Sequence, residues 1–193
     1  MIAAALLAAG CGGKAEDASE PSGTFRVEVA GASFPAHQRI AQPVTLRIRV
    51  RNADHRTLPN VAVTVQTRPA RAGQAPIAFG QSASDTRLAD TRRPVWIVDK
   101  GPRGGDTAYT NTWALGALRP GRTREFVWRL LPARAGAYTV SYRLFPGLSS
   151  RARPGRGRTG GSFRVTVADK PVAACVGDNG QVITGKRAAE NRC

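Results

Sequence analysis

The stretch at residues 44–52, VTLRIRVRN, decides the fold class of this chain. Its apolar side chains, Val44, Leu46, Ile48 and Val50, alternate with threonine and arginine. Successive side chains of an extended strand point to opposite faces, so this alternation predicts a β-strand with one apolar face in a core. The arginines would then face water.

Similar short apolar stretches recur along the chain. Eight strands are predicted, at 25–29, 44–52, 61–67, 95–98, 109–115, 125–130, 138–145 and 163–167. Turn residues lie between most of them, and residues 69–94 form one long stretch without regular periodicity. The pattern predicts an all-β fold in which antiparallel strands form two packed sheets. Residues 169–193 are a C-terminal extension, in which 181–184 could add a short strand.

Three stretches resemble the CARDB-like group of bacterial immunoglobulin-like domains, which are related to cell adhesion. They are VRN at 50–52 followed by LPNVAVTV at 58–65, WALGALRPG at 113–121, and GAYTV at 136–140. The resemblance covers residues 24–168 and implies an immunoglobulin-like antiparallel β-sandwich of about seven to nine strands. It also implies a cell-surface spacer or adhesion module. Tyr138 is the candidate for the tyrosine corner of such folds, in which a tyrosine hydroxyl bonds to upstream backbone.

The N-terminal sequence MIAAALLAAGCGG, residues 1–13, has the apolar core and small residues of a signal peptide. Residues 7–11 resemble the bacterial lipobox, in which cleavage precedes a cysteine that becomes lipidated. This implies a signal peptide at 1–10 and lipidation of Cys11. The sequence departs from the pattern in having no Lys or Arg before the apolar run and in the position of its leucine. The alternative is an ordinary secreted protein with a chance cysteine here.

Residues 11–23 are small, polar and acidic, and such a segment predicts a flexible tether. The expected location is therefore extracytoplasmic, with the membrane bound through a lipid anchor at Cys11. Export favours disulfide formation between the two other cysteines, Cys175 and Cys193. That bond would close a loop of about 18 residues and stabilise it by about 3 kcal/mol. Two free thiols on a mobile tail are the alternative.

The net charge is +16 and the isoelectric point is about 11.4. A polyanion is the obvious partner for such a charge. The alternative is the codon usage of a GC-rich genome, since only four of the 29 basic residues are lysines. Arg151, Arg153, Arg156 and Arg158 form the densest basic segment. They are candidate anion ligands, with a solvated hairpin tip as the alternative.

Catalytic and metal-binding patterns are absent from the sequence. His37 and His55 fall in predicted loops without a metal-ligand motif, no serine lies in a nucleophile elbow, and no cofactor is expected. The protein is therefore predicted to be non-catalytic. The expected partners are an anionic envelope polymer or a surface protein, but not nucleic acid, since the arginine segment lacks stacking aromatics. Two hypotheses stay open: a binding or adhesion module presenting the 69–94 loop or the arginines, and a structural spacer or accessory subunit.

Overall fold

The structure is a computed structural model that describes residues 17, 20–68, 77–81, 94–104, 107, 109–171, 173–176, 182–185 and 188. The strands within this part of the chain are β1 (Gly23–Phe25), β2 (Val27–Ser33), β3 (His37–Arg39), β4 (Val44–Asn52), β5 (Ala62–Arg68), β6 (Gly80–Gln81), β7 (Trp96–Lys100), β8 (Thr112–Ala114), β9 (Thr123–Pro132), β10 (Gly136–Phe145), β11 (Ala152–Pro154), β12 (Gly160–Ala168), β13 (Ala174–Val176) and β14 (Val182–Thr184).

Ten of these strands form two five-stranded sheets. The first sheet has the order β2-β4-β9-β7-β6 and the second the order β3-β12-β10-β5-β8. The central strands pair antiparallel, whereas β3 and β6 join their sheets in parallel. β2-β4-β9-β7 and β12-β10-β5 correspond to the ABED and GFC strands of an immunoglobulin constant-type sandwich. The predicted immunoglobulin-like antiparallel β-sandwich is confirmed.

β4 alternates apolar and polar residues and is an interior strand of the first sheet, between β2 and β9. Leu46, Ile48 and Val50 are fully buried, and the intervening arginines are exposed. Leu46 lies opposite Trp128 of β9, which is also fully buried. The predicted strand at 44–52 is therefore correct in its bounds and in its inward face.

Aromatic side chains fill the space between the sheets. Trp96, Trp113 and Trp128 are all buried. Trp113 meets Trp128 edge to face at 5.3 Å between ring centroids, and the Trp96 indole nitrogen donates to Gln38 Oε1 at 2.7 Å. Burying 150–250 Å² for each tryptophan stabilises the fold by about 4–6 kcal/mol per side chain before entropy is counted.

The sandwich has two distinct ends. Its N-terminal end consists of residues 17, 20–26, 53–61, 115–122 and 146–159, which hydrogen bonds join together, such as Leu58 N–H to Leu118 O at 2.9 Å. Its C-terminal end includes Ala41, Pro132 and Ala168, joined in the same way. The chain therefore enters the sandwich at one end and leaves it at the other.

Three predicted boundaries differ from the structure. The fold begins before residue 24, since the Glu20 carboxylate is buried and accepts the N–H groups of Leu148 and Ser149, both at 2.8 Å. The predicted tether therefore ends earlier than residue 23. The arginine segment is not a simple hairpin tip, because β11 within it pairs in parallel with β1. The 69–94 stretch contains β6, which pairs with β7.

The C-terminal extension forms a small hairpin of β13 and β14. β14 matches the strand considered at 181–184. Nowhere in the described ranges does a helix have the length and apolar character needed to cross a membrane.

Candidate anion-binding groove

The outer face of the second sheet is polar because β10 alternates along its length. Tyr138, Val140 and Leu144 point into the core and are buried. Thr139 and Arg143, on the opposite face, are exposed. This face of β10, with the matching faces of β5 and β12, is called the outer polar face below.

Strand register lines up hydrogen-bonding side chains across this face. Arg143 lies opposite Thr64 of β5 and Gly160 of β12. Ser141 lies opposite Gln66 and Ser162 in the same way. An open groove of about 600 Å³ follows these rows and is lined by Thr64, Gln66, Ser141, Tyr142, Arg143, Phe145, Thr159, Gly160 and Gly161.

Two glycines keep one side of the groove clear. A Cβ at Gly160 would lie 2.6 Å from the Tyr142 carbonyl oxygen, and one at Gly161 would lie 2.7 Å from the Tyr142 hydroxyl. Both distances are too short, so no larger residue fits here without movement of the strands. Burial raises the pKa of Tyr142, while the nearby Arg158 acts in the opposite direction.

The outer polar face is positively charged. Thr139 lies opposite both Arg68 and Arg164, which are exposed, and this row lies two outward rows from that of Arg143. The outward positions of β5, β10 and β12 carry no carboxylate. Within the described ranges none of these three arginines forms an ion pair. Their guanidinium groups are therefore available to an anionic ligand.

The first sheet differs in this respect. On its outer face Arg47 pairs with Glu125 at 3.1 Å and Arg129 pairs with Asp99 at 2.8 Å. Its basic side chains are thus partly neutralised by carboxylates on neighbouring strands, although exposed pairs of this kind add only about 0–1 kcal/mol to stability. Both outer faces carry arginines. On the first sheet Arg47 and Arg129 pair with carboxylates, whereas the three arginines of the outer polar face form no ion pair within the described ranges.

An apolar hollow of about 330 Å³ adjoins the groove and shares Thr64 and Phe145 with it. Leu148 and Pro154 contribute to its lining, together with the half-exposed Tyr109. A ligand spanning both would meet guanidinium, hydroxyl and amide groups on one side and apolar surface on the other. That combination suits a polymer with charged groups on a carbon skeleton.

The four arginines predicted from sequence lie at the N-terminal end and do not line the groove itself, although Arg153 lines the adjoining hollow and Arg158 lies near Tyr142. Arg151 donates to Asp17 O at 2.7 Å, Arg153 to Ser150 O at 3.3 Å, and Arg158 to Val29 O at 3.1 Å. The segment runs beside residues 23–29, so Arg151 and Arg158 are about 20 Å apart along the strand direction. They form a row rather than one cluster, and anion binding by them stays a prediction.

Tyr138 occupies the corner where the chain passes from the first sheet to the second. Its hydroxyl donates to Ala135 O at 2.7 Å and accepts a hydrogen bond from Arg134 Nε at 3.2 Å. Gly136 has φ +139°, and a Cβ there would lie 2.9 Å from the Tyr138 hydroxyl. This is the geometry of a tyrosine corner.

Cys175 is disulfide-bonded. The two other cysteines, Cys11 and Cys193, lie outside the described residues, so lipidation and the identity of the disulfide partner stay predictions. Of the loop at 69–94, residues 77–81 and 94 are described. Ala78 and Phe79 are buried there, on the side of the C-terminal end and away from the arginine segment. The rest of that loop lies outside the described ranges.

In the part of the chain that the structure describes, no three His, Cys, Asp or Glu side chains come together as a metal site would require. His55 is exposed beside Asp54, with 3.3 Å between Nδ1 and Oδ1. His37 lies on β3, not in a loop as predicted.

No protein-family model matches the chain, and no curated protein sequence matches it. Solved structures do. The CARDB domain of a Pyrococcus furiosus protein, solved with di-metal ions, is 14% identical over 76% of this chain and 94% of that one, with a TM-score of 0.44. A cohesin module from a Clostridium perfringens family 33 glycoside hydrolase is 6% identical over 76% and 98%, with a TM-score of 0.43. Escherichia coli alpha-2-macroglobulin, from domain MG7 to its C-terminus, is 10% identical over 78% and 18%, with a TM-score of 0.43.

The likeness to these structures is one of fold. The CARDB domains among them belong to the group that the motifs at 50–65, 113–121 and 136–140 resemble.

Proposed function

We propose that this protein is a non-catalytic, lipid-anchored extracytoplasmic module that binds an anionic polymer of the cell envelope through its outer polar face. The observation that carries the proposal is the set of arginines on that face, Arg68, Arg143 and Arg164. Arg143 lines a groove of hydroxyl and amide groups, and Arg68 and Arg164 lie on the same face two rows away. The outward positions of the described strands β5, β10 and β12 carry no carboxylate. Such a surface attracts polyanions over a distance of about 8–10 Å at ordinary salt.

Recognition would combine charge with hydrogen bonding. Guanidinium groups bind carboxylate or phosphate in a bidentate manner, and each charge-assisted hydrogen bond contributes about 1.5–3 kcal/mol. Thr64, Gln66 and Ser141 can donate to or accept from hydroxyl groups of the polymer. Because the floor of the groove is a β-sheet, little ordering of the backbone is needed on binding.

The test uses the chain from residue 11 with Cys11→Ser, and polygalacturonate and polyphosphate as probes, with neutral dextran as the uncharged comparison. The variant is Arg68→Gln, Arg143→Gln and Arg164→Gln. The matched control is Arg47→Gln, Arg49→Gln and Arg129→Gln, which removes the same charge from the other sheet. We expect the variant to lose at least tenfold in affinity for one polyanion at physiological salt, with less than a threefold loss in the control.

Equal losses in the variant and the control would mean that net charge alone drives binding, and would overturn the proposal. Binding to neither polyanion at physiological salt would do so as well.

A second candidate is a structural spacer. It is favoured by the position of the chain ends, because the polypeptide enters at the N-terminal end of the sandwich and leaves at the C-terminal end near Ala168. A spacer would show no polyanion affinity that depends on the three arginines.

A further inference from the structure

The segment that precedes the sandwich is held firmly at its N-terminal end. Glu20 accepts two backbone hydrogen bonds from residues 148–149. Asp17 is tied at two points, since its Oδ2 accepts from the Tyr109 hydroxyl at 2.9 Å and its carbonyl oxygen accepts from Arg151 at 2.7 Å. The chain towards Cys11 therefore leaves the domain from a fixed position beside Tyr109 and Arg151.

The surface around that position is strongly basic. The residues of the N-terminal end include eight arginines, all exposed: Arg26, Arg56, Arg119, Arg122, Arg151, Arg153, Arg156 and Arg158. The same residues include three carboxylates, and each is engaged within the protein. Glu20 and Asp54 are buried and accept hydrogen bonds from the protein, and Asp17 accepts a hydrogen bond from the Tyr109 hydroxyl. Arginines therefore outnumber carboxylates at this end, and the excess positive charge lies at the protein surface.

The length of chain between Cys11 and the basic N-terminal end limits what can lie against that end. Asp17 is the sixth residue after Cys11, and a chain of that length reaches at most about 20 Å when fully extended. If Cys11 is lipidated, the basic end is confined close to the bilayer surface. Anionic headgroups attract arginines within about a Debye length, and a single lipid anchor is strengthened by an adjacent basic patch.

We propose that the N-terminal end of the sandwich binds the headgroups of an anionic bilayer, so that the strands run away from the membrane and the C-terminal end is outermost. This inference rests on the lipid anchoring in the proposed function. It assigns the part of the arginine segment around Arg151 to the membrane surface, since Arg158 lies about 20 Å further along the strands, and leaves the outer polar face to the polymer.

The experiment measures sedimentation with vesicles, using the chain from residue 11 with Cys11→Ser so that no lipid anchor contributes. Vesicles of pure phosphatidylcholine are compared with vesicles containing 30% phosphatidylglycerol. The end variant, Arg119→Gln, Arg122→Gln and Arg156→Gln, is compared with the groove variant, Arg68→Gln, Arg143→Gln and Arg164→Gln. Both remove three charges.

We expect binding to anionic vesicles only, a fivefold or greater loss in the end variant, and less than a twofold loss in the groove variant. Equal losses in the two variants, or no preference for anionic vesicles, would overturn the inference. The polyanion assay separates the two proposals, because the end variant should keep its polymer affinity. If the chain without these substitutions bound anionic vesicles but neither polyanion, the proposed function would be refuted and the membrane inference would stand.

Orientation gives a second readout. A fluorophore is attached in turn at Ser150→Cys and Gln42→Cys, at opposite ends of the sandwich, and a lipid-borne quencher is added to the anionic vesicles. The label at residue 150 should be quenched several-fold more strongly than the label at residue 42. Equal quenching at the two positions would show that this end does not face the bilayer.

Discussion

Glu20 and Leu148 lie 128 residues apart in the sequence, yet the Glu20 carboxylate accepts the Leu148 backbone N–H at 2.8 Å. Its second oxygen accepts the N–H of Ser149 at the same distance. Gly147 completes the arrangement, because a Cβ there would lie 2.6 Å from Glu20 Oε2. One buried side chain thus fixes both the entry of the chain and the turn that follows β10.

Replacing Glu20 should therefore destabilise the whole domain. Glu20→Ala leaves two backbone N–H groups without their acceptor, and we expect the free energy of unfolding to fall by about 1–3 kcal/mol. Urea unfolding followed by tryptophan fluorescence measures this. Glu28→Gln is the control, because Glu28 forms only an exposed ion pair with Arg26 at 3.7 Å. A loss in Glu20→Ala no larger than in the control would contradict the role assigned to Glu20.

Asp54 should make stability depend on pH in the acid range. Burial opposes its ionisation, but the N–H of Arg26 and the side chain and N–H of Arg56 outweigh burial and hold the pKa of Asp54 well below its usual range. A lowered folded pKa means stability that is complete above the unfolded value of about 3.9 and is lost as pH falls below it.

The variant Asp54→Asn removes the charge and one acceptor oxygen. We expect it to cost about 1–3 kcal/mol at pH 7 and to unfold at a denaturant midpoint that changes less than that of the wild type between pH 5 and pH 2. Urea midpoints across that pH range provide the measurement. Asp99→Asn, which removes an exposed partner of Arg129, controls for the loss of one negative charge. Parallel pH curves for the wild type and Asp54→Asn would contradict the assignment.

Much of the fold could be predicted from local pattern. β4 was predicted to the residue because each of its side chains follows the two-residue alternation. β11 could not be predicted in this way, since Ala152–Pro154 is short and contains a proline. Its pairing with Gly23–Phe25 depends on contacts between distant parts of the chain. The local sequence around a short strand does not indicate which distant strand it pairs with.

The groove was missed for a related reason. Thr64, Ser141 and Arg143 occupy outward positions of β5 and β10, where polar residues are expected simply because these positions face water. Only the strand order β12-β10-β5 brings them together. The arginine segment attracted attention because its arginines are adjacent in sequence, yet the structure spreads them along an edge. Proximity in sequence is thus a poor guide to clustering in a β-sandwich.

The two tyrosines of β10 offer a matched comparison. The Tyr138 hydroxyl donates to Ala135 O, whereas the Tyr142 hydroxyl lies over Gly161 and donates no hydrogen bond to the described residues. Both rings are buried and should pack equally well as phenylalanine. We expect Tyr138→Phe to cost about 1 kcal/mol and Tyr142→Phe less than about 0.5 kcal/mol in thermal or urea unfolding. The reverse order would refute the tyrosine corner as a stabilising feature.

The partner of Cys175 decides whether Cys11 is free to carry a lipid. Cys175 lies on β13 and is disulfide-bonded, and the chain has only two other cysteines. If Cys11 is lipidated it has no thiol to offer, so lipidation of Cys11 requires the sequence-based pairing of Cys175 with Cys193. Thiol titration in denaturant, without reductant, distinguishes the cases.

We expect no free thiol in the chain from residue 11 with Cys11→Ser, and one free thiol, that of Cys175, when Cys193→Ser is added. The added change should leave the urea midpoint of the sandwich nearly unaltered. The closed loop of about 18 residues lies after the last strand of the two main sheets, so its constraint of about 3 kcal/mol acts locally. Two free thiols with Cys11→Ser alone, those of Cys175 and Cys193, would mean that Cys11 pairs with Cys175, and lipid attachment would then have to break that bond.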